Sequence, residues 1–215
     1  MLSTALPLAL LACATPQDPA EDPSEIPTAR IVSLVRHERD RADPALFDEL
    51  ARRADAEALA ALQECATLVF LPDALGSVYG AVGRYRDVDP LRERVRGWLL
   101  GEVNGERWLV HHPAARALAS FGGRAEKELR EVVQNHPDPV CRSIAVGGML
   151  TALRAQGDAE ALELLIENFR TPHSGPREAA VRTLRGFRDE EHVRTLERGV
   201  GDRDLPPTVR TMIVD

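Results

Sequence analysis

Residues 55–62 read DAEALAAL, and residues 158–165 read DAEALELL. An aspartate opens each copy, where a carboxylate accepts the free N–H groups of a first helical turn. Two leucines three residues apart follow in each: Leu59 with Leu62, and Leu162 with Leu165. That spacing marks one apolar face of a helix. The copies lie 103 residues apart, about three periods of a helical-hairpin repeat, whose units run to roughly 20–50 residues.

The same seam continues between and beyond the two copies. Leu59, Val95, Leu129, Leu162 and Val193 stand 36, 34, 33 and 31 residues apart. Three positions further on sit Leu62, Trp98, Val132, Leu165 and Leu196. A second signature, Arg-small-apolar, falls on first helices: Arg116-Ala117-Leu118, Arg142-Ser143-Ile144, Arg182-Thr183-Leu184 and Arg210-Thr211-Met212. Pro113, Pro139 and Pro207 precede three of these arginines by three residues, and Pro176 precedes the fourth by six. Proline fits a first helical turn, where its missing N–H has no intrahelical acceptor to serve. Gly122-Gly123, Gly157-Asp158 and Gly201-Asp202 punctuate the helices, and Asp55, Asp89 and Asp158 are the expected helix starts.

This pattern resembles the HEAT-repeat family, most closely its short, phycobilisome-lyase-like type. The resemblance runs from about residue 43 to the end. It implies an all-α fold: a right-handed α-α superhelix, a HEAT-like solenoid, of about five helical hairpins plus a terminal helix. The expected units are 43–70, 72–103, 106–136, 138–171 and 175–202, with a last helix from Pro206. Residues 29–42, containing Ile31, Val32, Leu34 and Val35, are expected as an N-terminal capping helix ahead of a 43–215 repeat domain. By the same resemblance Arg116, Arg142, Arg182 and Arg210 pair with acidic groups of neighbouring units, Asp138 and Asp204 being candidate partners.

Composition bounds the rest. Of 215 residues 44% are hydrophobic, a globular share. The formal net charge is −7, and no basic block interrupts it. That argues against a nucleic-acid footprint and against electrostatic binding to anionic lipid.

The N-terminus reads differently. Residues 2–12 are mostly apolar, too short to span a bilayer but of the length of a signal-peptide core. Leu10-Leu11-Ala12-Cys13 resembles a bacterial lipobox, residues 1–13 forming the signal peptide and lipobox, with Cys13 as the lipidated first residue once the residues before it are removed. No Lys or Arg precedes the apolar run, which departs from that pattern. Residues 14–28 include PQDPAEDPSEIP, a Pro-rich acidic composition expected to form an unpacked tether. Together these features imply a chain lipid-anchored in the cell envelope, facing the periplasm or exterior; without a functional signal it would be cytoplasmic.

Motifs for catalysis are sparse. His111, His112 and His136 form the best metal trio, but adjacent helical residues point about 100 degrees apart and rarely chelate one ion. Helix-end or exposed histidines fit them better. Cys65 and Cys141 read as buried small hydrophobes. Gly80, Gly83 and Gly97 fall inside helices rather than after a strand, so no nucleotide fingerprint forms. No cofactor, metal or catalytic residue is expected. The functional expectation is a non-enzymatic protein-protein interaction scaffold. The alternative is an accessory domain or fragment of a larger enzyme, or a bilin-lyase-like HEAT-repeat protein. Partner contacts are expected on the second helices, in a row that shares register but varies in chemistry: Arg96, Arg130, Gln134, Glu163, Glu167, Arg194 and Arg198. A groove around residues 130–198 is the expected place for a protein segment.

Overall fold

The computed structural model describes residues 22–156. Helices account for 83% of them and no strand occurs among them, so this part of the chain is all-α. Eight α-helices follow in order: α1 (Thr28–Glu38), α2 (Pro44–Arg53), α3 (Ala56–Leu68), α4 (Pro72–Gly83), α5 (Leu91–Asn104), α6 (Trp108–Ala119), α7 (Gly123–Asn135) and α8 (Pro139–Gln156).

Local chemistry sets most boundaries. Asp43, Asp55 and Asp138 each accept a backbone N–H of the following first turn, at 2.9, 2.7 and 2.8 Å, the usual N-cap arrangement. Pro44, Pro72 and Pro139 occupy the first turns of α2, α4 and α8. Two boundaries differ from the sequence reading. Asp89 caps nothing: α5 begins at Leu91, with Pro90 at the cap position and no side-chain bond to it. Pro113 lies inside α6, because that helix starts five residues earlier, at Trp108. A mid-helix proline costs a backbone bond. Here α6 is packed by α4, α5, α7 and α8, and that burial offsets the loss.

The seam residues face inward as expected. Leu59, Leu62, Val95 and Leu129 are fully buried, Val132 nearly so, and Trp98 packs on the core from its margin. Burying each such side chain contributes about 1.5–3 kcal/mol. In one row α2 lies on α4, α4 on α6 and α6 on α8; in the other α1 lies on α3 and α5 on α7, without a comparable contact between α3 and α5. The tightest crossing is α6 on α8. A Cβ on Gly148 would stand 2.5 Å from the His112 carbonyl oxygen and 2.9 Å from the Arg116 nitrogen, so only glycine permits this approach.

At the N-terminal side, packing reaches further back than the expected tether allows. Ile26 is buried. Arg53 donates to the Thr28 hydroxyl at 2.7 Å and to the Ile26 and Pro23 carbonyls. Residues 23–28 therefore belong to the folded body. The leader and Cys13, the first part of the tether, Asp158, and everything read beyond it, including Glu163, Glu167, Arg194 and Arg198, lie outside the described residues. No described helix is long and apolar enough to cross a membrane.

Candidate functional site

A cleft of about 1290 Å³ lies between α4 and α6, flanked by α8. Its floor is the glycine face of α4. Gly76, Gly80 and Gly83 recur at four- and three-residue steps, which is one side of a helix. At the C-terminal ends the two helices touch: a Cβ on Gly83 would meet the Ser120 hydroxyl at 3.4 Å and Ala117 at 3.8 Å. Nothing lies within 4 Å of a Cβ placed on Gly76 or Gly80. The helices thus splay from a closed end to a wide mouth.

Apolar side chains stand at the mouth. Trp108 is 63% exposed and Leu109 37%, and both line the cleft. Phe70 and Leu71, at the entry to α4, are also exposed, and their backbone N–H groups donate to Asp40, which fixes that corner. Exposed apolar groups that gather, as Trp108 and Leu109 do on the cleft lining, mark an interaction surface. Pro113 also lines the cleft; having no N–H, it leaves the Leu109 carbonyl without its normal helical donor.

The closed end is basic. Arg84, Arg86 and Arg116 converge there. Arg84 pairs with Asp48 at 2.7 Å and Arg86 with Asp87 at 3.1 Å. Arg116 makes no ion pair or hydrogen bond among the described residues. Arg142 donates to the His136 carbonyl, and its Nε is buried without a partner. Asp138 is occupied as the α8 cap. The acidic partners expected for Arg116 and Arg142 are therefore not found among the described residues.

The three histidines are not brought together. His111 is buried, contrary to the helix-end or exposed reading, and its Nε2 donates to the Gly105 carbonyl at 2.8 Å. Its buried Nδ1 has no hydrogen-bond partner among the described residues. His112 faces the cleft with its ring beside Gly147. Desolvation there, and secondarily the Arg116 charge, hold the imidazole below its ordinary value of 6.5. His136 caps α7 and its Nδ1 accepts the Asp138 N–H at 3.1 Å. Among the described residues no three His, Cys, Asp or Glu side chains are placed to hold a metal ion. Cys65 and Cys141 are buried free thiols, pushed up to about 12 and about 11 by desolvation.

The expected second-helix row is placed elsewhere. Arg96 lies on α5, and Arg130 and Gln134 lie on α7; none lines the cleft. Arg96 binds Glu93 at 2.9 Å and also pairs with Glu128 of α7, leaving its side chain only 12% exposed. The bonded Arg96 guanidinium holds the Glu93 carboxyl below its usual range. Arg130 pairs with Glu126 at 3.0 Å. Sequence reading missed the cleft because its floor is made of absent side chains. The available signal was the 76, 80, 83 glycine spacing followed by Trp108-Leu109.

No protein-family model, no curated protein and no solved structure matches the chain. The cleft's geometry therefore carries the functional reading.

Proposed function

We propose that the protein is a non-enzymatic scaffold that binds a segment of another protein in the α4–α6 cleft. The carrying observation is the wide mouth: two glycines with empty space above them, bordered by Trp108 and Leu109. Glycine in a helix interior costs about 0.5–1 kcal/mol relative to alanine. No neighbour packs on Gly76 or Gly80 to recover that cost within the fold. Volume supports a chain segment: small-molecule pockets run to about 300–1,000 Å³ and enclose their ligand, whereas this cleft is larger and open along its length.

The wider architecture we propose is a HEAT-like right-handed superhelix of helical pairs. Its support is the run of neighbours α2, α4, α6, α8 and the seam period that continues to Leu196. Such stacks offer extended surfaces for partners. We further propose that Cys13 is lipidated, holding the scaffold at the cell envelope; the lipobox-like LLAC and the acidic Pro-rich stretch after it support this.

Affinity capture with the full chain and with Gly80→Leu, which puts a side chain where a Cβ meets no described neighbour within 4 Å, tests the binding claim. A protein captured by the wild type and lost by the variant, with unchanged circular dichroism, is the expected result. An identical captured set would refute the placement.

A further inference from the structure

The cleft is electrically asymmetric. At the mouth Asp73 lines the wall and makes no side-chain ion pair among the described residues. At the closed end three arginines face two aspartates, and the pairings of Arg84 with Asp48 and Arg86 with Asp87 use up both. Arg116 is the cation left over, in a chain whose overall charge is −7. An exposed arginine at the end of a cleft can take a carboxylate, which its planar fork binds through two N–H groups. Trp108 and Arg116 are eight residues apart on α6, about 12 Å along the axis. An extended chain covers that distance in three to four residues. Between them, the Leu109 carbonyl, freed by Pro113, offers an acceptor for a backbone N–H of such a chain.

We infer that the cleft selects an extended acidic peptide segment, with a bulky apolar side chain seated over Gly76 and Gly80 against Trp108, and a carboxylate three to four residues along that pairs with Arg116. This deepens the proposed function and rests on it. Asp73 sets polarity: it repels a carboxylate from the mouth, so the acid belongs at the closed end.

A displayed library of random ten-residue peptides, selected on the full chain, tests the assignment. The enriched peptides are expected to carry a bulky apolar residue and an Asp or Glu three to four positions apart. A synthetic consensus peptide, titrated by tryptophan fluorescence, is expected to bind at least about tenfold more weakly to Arg116→Glu and to Gly80→Leu. Selection on Arg116→Glu is expected to replace the acid with Lys or Arg. Peptides that lose binding with Gly80→Leu, yet show no acidic preference and ignore Arg116→Glu, would overturn the charge assignment and leave the cleft in place. Peptides indifferent to Gly80→Leu, or no enrichment at all, would overturn both. Circular dichroism of each variant separates these outcomes from unfolding; a Cβ at Gly80 meets no described neighbour, and the Arg116 side chain makes no ion pair among the described residues.

Discussion

Two glycines, Gly148 in α8 and Gly80 in α4, show how much one missing Cβ decides. Gly148 touches the α6 backbone, and Gly148→Ala forces a Cβ to 2.5 Å from the His112 carbonyl oxygen. Overpacking of this kind, against backbone that cannot rotate away, is expected to destabilise by about 3 kcal/mol in chemical denaturation. Gly80→Ala meets nothing and is expected to stabilise by about 0.5–1 kcal/mol. The opposite signs of two identical substitutions are the check. Ala54 ends α2 with φ of 55°, in the left-handed region that costs a residue with a Cβ about 1 kcal/mol. Ala54→Gly is expected to recover about that amount. His112 supplies a pH readout. Its folded-state pKa lies below 6.5, so as pH falls past 6.5 the unfolded chain takes up a proton before the folded one does. Stability must then decline with falling pH across that window. His112→Gln is expected to flatten that part of the profile, measured by denaturant midpoints between pH 7.5 and 5.5.

At the level of elements, the sequence makes helix identity legible because burial repeats with the helical period. Leu59, Leu62, Val95 and Leu129 are buried where the seam places them, and Asp55 caps α3 as its position implies. What stays hidden depends on partners far along the chain. Arg96 looked free for a ligand because Glu128, 32 residues away, cannot be seen beside it until α5 and α7 pack. Pro113 looked like a helix start because tertiary packing, not propensity, carries α6 through it. The cleft was invisible for a related reason: a sequence pattern advertises side chains, and this floor lacks them. One junction between elements is directly testable. Glu49 is buried on α2, accepts from Arg52 at 2.7 Å and from Arg53 at 2.9 Å, and so orients the Arg53 clamp on Ile26 and Thr28. Glu49→Gln is expected to cost about 1–3 kcal/mol. Its first effect should be faster amide exchange at residues 26–31, where the N-terminal segment is tied down. The Arg52 hydrogen bond chiefly holds the Glu49 carboxyl below its ordinary 4.5. Its stabilising contribution is thus present above that value and fades as pH drops beneath it.

At the largest scale described, residues 22–156, the proposed stack adds helical pairs side by side, so that distance grows with every unit and the cleft opens between first helices. Helices in contact lie about 8–10 Å apart. Three steps, α2 to α4 to α6 to α8, therefore separate the outer axes by about 24–30 Å if the row is open. A bundle closed on itself would bring α2 back beside α8. Pulsed electron resonance between spin labels at Asp48→Cys and Thr151→Cys, both on exposed positions and with Cys13→Ser to remove the third native thiol from labelling, measures this separation. A single distance near 30 Å is the predicted result; a distribution centred below about 20 Å would contradict the side-by-side stack and the cleft that depends on it.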